Sequence, residues 1–285
     1  MRDEDVPDAE RLSAEGFHEL DVRMVRASWP APVRRPAARS EIWMARTRHF
    51  LRTDPDGCWV AEDESGMLGF ATSFTRELMW VLATYAVRPD LQGRGIGRPL
   101  LDAALHHGRG CLRGMLSSSS DPKATRRYLL SGFRLHPQMF MSGTVDRSTI
   151  PLVEKVRDGT AADIELMDSI DRRTRGAAHG PDHELMLSAW RLLVSDTRTG
   201  SGYAYAGPGG ALELLAATNR RTAGRLLWAV LADTEGETSV PHLTAANPWA
   251  IDVGVAARLE LHQEGYLGLR GMKPPAPYVH HGALL

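Results

Sequence analysis

A mixed α/β fold, a sheet of mixed strand direction flanked by helices, is what this sequence predicts, and it predicts the unit twice. Three observations carry the expectation. Strand-like runs alternate with amphipathic helical stretches through the first 145 or so residues. Near residue 150 the pattern restarts: "RDEDVPDAERL" at Arg2 to Leu12 and "RDGTAADIELM" at Arg157 to Met167 share Arg, Asp, Asp and Glu at identical offsets, each leading into an amphipathic helix. The length of 285 residues also exceeds that of an ordinary single domain. Domains are therefore expected at 1–148 and 149–285, joined around "DRSTIPLVEK".

In order along the first half, "DAERLSAEGFHELDVRMVRASW" has apolar residues at helical spacing. The break "PAPVRRPAARS" separates it from a second helical stretch, "EIWMARTRHFLR". A hairpin follows in "GCWVAEDESGMLGFATSF", turning at Asp63 to Gly66, and then a strand in "LMWVLATYAV". "GRPLLDAALHHG" reads as a helix closed by Gly108 and "CLRGMLSSSS" as a strand. "DPKATRRYLLSGF" is a helix opened by Asp121 with Pro122 in its first turn, and "MFMSGTV" is the last strand.

The composition, 43% hydrophobic and 24% charged with a formal net charge of -1, is that of a soluble globular protein with no global attraction to nucleic acid or anionic membrane. Cys58 and Cys111 sit in apolar, strand-like runs and are expected as free thiols. No apolar stretch approaches the roughly 20 residues of a membrane span, and the acidic start is unlike a secretory signal. The expected location is cytoplasmic.

The stretch richest in chemistry is "VRPDLQGRGIGRPLL", residues 87 to 101. The strand ends at Val87, Pro89 stops it, and a helix begins near Gly97, so the intervening loop delivers backbone N–H groups to a helix N-terminus. Those amides lack intrahelical partners, and with the helix dipole they suit phosphate oxygens. Gly93, Gly95 and Gly97 permit positive φ and close approach of the backbone. Arg94 and Arg98 add charge where a pyrophosphate would lie. The spacing G-x-G-x-G is neither the dinucleotide fingerprint nor a P-loop.

These residues resemble the acetyl-CoA signature of the GCN5-related N-acetyltransferases, Q/R-x-x-G-x-G/A, filled by Gln92, Gly95 and Gly97. "DPKATRRYLLSGF" is similar to that family's fourth helix, A-x-x-x-Y-x-x-x-G-F, met by Ala124, Tyr128, Gly132 and Phe133. The resemblance covers about residues 1 to 145. It implies two tandem acyl-CoA N-acyltransferase-like domains and, in the first, a motif strand that splays from its parallel neighbour to admit a pantetheine arm. It further implies that Tyr85, Ala86 and Val87 pair with that arm through their backbone. The amides of Gly93, Arg94, Gly95, Ile96, Gly97 and Arg98, preceded by Gln92, would then hold the pyrophosphate.

Acetyl transfer needs a neutral amine, a donor for the oxyanion and an acid for the departing thiolate. An alkyl amine of pKa about 10 is only about one part in a thousand neutral at pH 7, so a base or water relay is useful. Tyr128 takes the acid's place. No acidic residue lies in "LMWVLATYAV" to act as base, which leaves water, Glu77 or a group from the second half. Asp121, where the family often has Asn, serves as a helix N-cap.

The second half keeps the outline of the first. "ALELLAATNRRTAGRLLWAVLA" resembles the motif strand, loop and helix with Arg221 and Gly224 in register, but Leu226 replaces the last glycine. "NPWAIDVGVAARLELHQEGY" keeps Asn247 and Ala250 but has Gly254 in place of the tyrosine. This copy is expected to be degenerate, supplying an interface or a wall of the acceptor pocket.

On the acceptor side, Arg23, Arg26, Arg34, Arg35, Arg39, Arg46, Arg48 and Arg52 face only Asp21 and Glu41 in sequence. They read either as a solvated surface with a few ion pairs or as anchors for a carboxylate or phosphate on the acceptor. His106 and His107 end a helix, His280 and His281 fall in a loose tail, and no metal site is expected. The sequence thus points to an acetyl-CoA-dependent N-acetyltransferase acting on a small amine, with a homodimer admissible and no nucleic-acid partner. A non-catalytic acyl-CoA sensor is the competing reading.

Overall fold

The computed structural model describes residues 1–26 and 29–285; Ala27 and Ser28, at the end of the first predicted helix, lie outside the described residues. In the first half, helices α1 (Val6–Met24) and α2 (Ala37–Thr53) precede the strands β1 (Cys58–Asp63), β2 (Gly66–Arg76) and β3 (Met79–Val87). Helix α3 (Gly97–His107), β4 (Arg113–Ser118), α4 (Pro122–Leu130) and β5 (Arg134–Thr144) complete it. The second half runs β6 (Arg157–Asp158), α5 (Ile164–Thr174), α6 (Asp182–Ala189), β7 (Arg191–Thr197), β8 (Gly200–Ala206) and β9 (Leu212–Ala217). It continues with α7 (Arg220–Ala232), β10 (Glu237–Thr244), α8 (Pro248–Ala256), β11 (Glu260–Arg270) and β12 (Tyr278–Val279). No helix among the described residues is long and apolar enough to cross a membrane.

The predicted hairpin, motif strand, α3 and α4 are where the sequence put them. Strand β5 starts earlier than "MFMSGTV", at Arg134, and takes in Pro137 next to the point where the β11 register shifts, a place in a sheet that tolerates proline.

The two halves interlock. One sheet runs β1-β2-β3-β4-β11-β5-β10, so its last four strands come alternately from the first and second half. The chain passes from one half to the other between β5 and β6, yet β11 lies between β4 and β5 and is antiparallel to both. A second sheet, β12-β9-β8-β7-β6, belongs wholly to the second half.

One apolar cluster joins Phe50, Phe74, Val81 and Met115 of the first half to Met167, Ile170, Tyr203 and Leu267 of the second. Beside it runs a buried ion network: Arg76 binds Asp54 at 2.7 Å and Asp182 at 2.8 Å, and His49 binds Asp182 at 2.7 Å. Burial works against the Asp54 charge, but hydrogen bonds from His107 and Arg76 hold its carboxyl well below the usual range.

The C-terminal segment is not the loose tail its composition suggested. Tyr278, Val279, His280, Leu284 and Leu285 are buried, and β12 pairs with β9, Tyr278 opposite Ala216 and Val279 opposite Leu215. Apolar side chains that find a core and a main chain that finds a strand edge outweigh the Pro- and His-rich composition.

Candidate active site

Two physical requirements explain the glycines of the loop between β3 and α3. Gly93 and Gly95 have φ of +87° and +93°, the left-handed region that side chains resist. Gly97 is needed for space, because a Cβ there would lie 2.1 Å from the Tyr85 hydroxyl. The N–H groups of Gly93, Gly95, Ile96 and Gly97 have no acceptor among the described residues, and no side chain caps α3. The amides of Arg94 and Arg98, expected among the donors, are instead taken by the Leu91 and Gly95 carbonyls at 3.4 and 3.3 Å, which leaves four bare donors at a helix start. Arg94 is exposed beside them, and Arg98 lies 3.6 Å from Asp102. Gln92 turns inward, its Nε2 donating to the Val87 carbonyl at 3.3 Å.

The motif strand has a free edge next to this cradle. β3 and β4 are parallel and paired only from Met79 opposite Arg113 to Leu82 opposite Leu116, so from Ala83 onward the β4-facing edge of β3 has no strand partner. Ala83 is an extra residue opposite the Thr72–Ser73 step of β2. That bulge shifts the side-chain phase, so that Trp80 and Leu82 before it and Tyr85 and Val87 after it all pack in the α3 cluster. The edge left open therefore belongs to Tyr85, Ala86 and Val87.

Tyr128 stands on α4 in the same cluster, its ring 6.4 Å from that of Tyr85. Its hydroxyl makes no hydrogen bond among the described residues, and burial, with Tyr85 and Asp121 adding to it, pushes its pKa up. The phenol is thus protonated at neutral pH. Asp121 caps α4, accepting from the Lys123 amide at 2.7 Å, and pairs with Arg23 at 2.9 Å.

Glu77 is remote from this edge. It occupies the β2–β3 turn with φ +53°, binds Arg172 at 2.7 Å and accepts from the Ala178 amide at 3.3 Å, which ties the turn to the second half. Polar groups that sequence reasoning missed lie instead beside β4. Ser117 Oγ lies 3.4 Å from Gln138 Oε1, and Gln138 Nε2 donates to His280 Nε2 at 2.5 Å. His280 stacks on His242, which pairs with Glu264 at 3.1 Å.

Both neighbours of β5 bulge at this point, β11 between Gln263 and Tyr266 and β10 between Val240 and Leu243, and the bulges bring Glu264 and His242 together across Gln138. His242 holds φ at +59°, a strained position for a histidine.

The second half builds the same strand and closes it. β9 carries its extra residue, Glu213, opposite the Tyr205–Ala206 step of β8, which aligns it with Ala83 and aligns Leu215, Ala216 and Ala217 with Tyr85, Ala86 and Val87. Those three residues meet the chain's own tail: Leu215 and Ala216 pair with β12, and the Ala217 amide donates to the Pro277 carbonyl at 3.2 Å.

The register read from sequence does not hold here. Only Thr218 and Asn219 separate β9 from α7, so Arg221, Gly224 and Leu226 lie inside the helix rather than in a glycine loop. Asn219 caps α7, accepting from the Thr222 amide at 2.9 Å. Asn247 holds the tail, accepting from the Tyr278 amide and donating to the Pro275 carbonyl, each at 3.0 Å. At Gly254 a Cβ would meet Met141 Sδ at 2.3 Å, which excludes a tyrosine.

One further cluster escaped the sequence reading. Asp171, His179 and His183 present ligand-type atoms within 4.8 Å of one another, all buried. Arg175 Nη1 donates to His179 Nε2 at 2.7 Å, and His179 Nδ1 donates to Asp171 at 2.7 Å. A cation bound at Nδ1 would leave Nε2 protonated against the Arg175 N–H, donor facing donor. The guanidinium therefore supplies the positive charge of this network.

Residues 22–133 match the Acetyltransferase (GNAT) family. No curated protein matches the sequence. Among solved structures, a Pyrococcus horikoshii protein assigned as an acetyltransferase is 18% identical with a TM-score of 0.74, covering 100% of this chain and 92% of its own. A GCN5-related N-acetyltransferase from Kribbella flavida is 16% identical with a TM-score of 0.60, covering 95% and 69%. A tandem GNAT protein from the clavulanic acid biosynthesis pathway is 14% identical with a TM-score of 0.58, covering 94% and 95%. At these identities the likeness is one of fold, and it extends across both halves.

Proposed function

We propose that this chain, whose residues 22–133 match the GNAT acetyltransferase family, transfers an acetyl group from acetyl-CoA to a primary amine of a small acceptor by direct attack. Acyl transfer is the chemistry the family supplies; the donor, the acceptor class and the residue roles are our reading. The observation that carries it is the conjunction of the bare amides of Gly93, Gly95, Ile96 and Gly97 with the edge of Tyr85, Ala86 and Val87 that has no strand partner. The amides, with Arg94 and Arg98, hold the pyrophosphate. The strand edge pairs with the pantetheine arm, and Gln92 braces the turn through Val87.

Tyr128 donates its proton to the thiolate as the C–S bond of the thioester breaks, a role its raised pKa keeps available. In this reading residues 1–148 carry catalysis. Residues 149–285 contribute β11 to the catalytic sheet and polar groups to the acceptor side.

Calorimetry with acetyl-CoA and release of the CoA thiol across a panel of amines test this reading. Heat of binding at one site per chain and amine-dependent thiol release are expected. Binding without turnover, unchanged in Tyr128→Phe, supports an acyl-CoA sensor instead, the reading favoured by the absence of an acidic residue on β3.

A further inference from the structure

Of the eight arginines of the acceptor side, four are engaged and Arg34, Arg39 and Arg52 are exposed. Arg23 pairs with Asp121, Arg26 with Gln263, Arg35 with Glu10 and Arg48 with Asp3. Arg46 is different. It is 9% exposed, its guanidinium makes no hydrogen bond or ion pair among the described residues, and its Nε is fully enclosed. It lies over the Trp43 ring, 5.9 Å from its centre, as Arg35 does at 5.6 Å. Burial, aided by Arg35, pushes the Arg46 pKa down to about 10, so the group remains charged at neutral pH.

An unpaired buried cation beside a second one is among the most costly arrangements a fold can hold, and one that a bound anion relieves. Trp43 in turn packs in one cluster with Phe70 of β2 and Ala86 of β3, whereas Tyr85 and Val87 pack with α3. Arg46 therefore sits on the sheet face opposite α3, beside the strand whose edge is open.

We infer that Arg46 anchors the carboxylate of an amino-acid-like acceptor amine. A planar guanidinium binds a carboxylate through two parallel N–H bonds, and enclosure strengthens each of them. The inference rests on the acyl-transfer reading above and narrows its substrate class.

The test compares free amino acids, their carboxamides and the corresponding decarboxylated amines as acceptors for wild type, Arg46→Met and Arg46→Lys. Acetyl-CoA calorimetry runs in parallel. Wild type is expected to favour the free acids at least about 10-fold in kcat/KM. Arg46→Met is expected to lose that preference through KM while binding acetyl-CoA as before. If Arg46→Met does not fold, Arg46→Lys, which keeps the charge without the planar fork, is expected to retain only part of the preference.

The melting midpoint supplies a readout free of turnover. Without ligand, Arg46→Met is expected to melt at or above wild type, and free acids raise the midpoint of wild type alone. Equal use of carboxamides, or a preference that survives in Arg46→Met, overturns the assignment. Where no amine is turned over, free acids that shift both proteins equally or neither also overturn it. Absence of acetyl-CoA heat strikes the cofactor reading separately.

Discussion

Helices α3 and α7 follow equivalent bulged strands, yet the first turn of α3 has four amides without acceptors before it, whereas Asn219 caps that of α7. The strand edges differ in the same way. From Ala83 on, β3 meets no strand on its β4 side, and the aligned edge of β9 is taken by Pro277 to Val279. Buried backbone donors and acceptors demand partners. In the second half the chain provides them from within; in the first it does not, and in our reading acetyl-CoA does. The lesson is that such a strand edge can be closed by the chain itself: Asn247, whose side chain makes no cap to its helix, clamps the tail along β9.

If that contrast is functional, the largest effect comes from closing the first cradle. Gly97→Asp places a Cβ against the Tyr85 hydroxyl and a carboxylate among the amides. Acetyl-CoA affinity should fall by about 10³-fold, about 4 kcal/mol, by calorimetry. Retained affinity would mean the amides are not the binding element.

Next is Tyr128→Phe, expected to lower kcat by about 10²-fold with acetyl-CoA affinity unchanged. The sign with pH follows from the raised pKa: the phenol keeps its proton through neutral pH and past 10, so it contributes no loss of activity below that point. A Tyr128-dependent decline between pH 7 and 9 would count against its role as acid.

How much of this the sequence disclosed depends on the kind of fact. Periodicity and turn residues located β1 to β4, α3 and α4, because each is settled by local chemistry. The alternation of β11 and β5 was invisible, since a strand's pattern reports which face is buried and not which strand lies beside it. The tail was misread because "KPPAPYVHHG" is dense in turn formers, and its pairing with β9 depends on an edge more than 60 residues away in sequence. The glycines and Tyr128 were legible as motifs. Arg46 was one arginine among eight, and only burial without a partner singles it out.

A mid-sized effect is expected at Gly254, which takes the place on α8 that Tyr128 has on α4. Gly254→Ala drives a methyl group into Met141 and should cost about 1–3 kcal/mol in denaturant unfolding. In the double variant with Met141→Ala the two costs should fall short of additive, because the smaller residue vacates the space that the new methyl needs. Full additivity would show that Met141 does not fill the tyrosine's position.

The smallest effect should come from Asn219→Ala. Removing the side chain that accepts from the Thr222 amide costs about 1 kcal/mol of stability, as for other helix caps. It also bares a helix start resembling that of α3. The strand edge beside it stays occupied by β12, however, and no glycine loop lies between β9 and α7. Acetyl-CoA stoichiometry should therefore remain one per chain. A second equivalent in this variant would show that the cap, rather than the tail, keeps the second half closed.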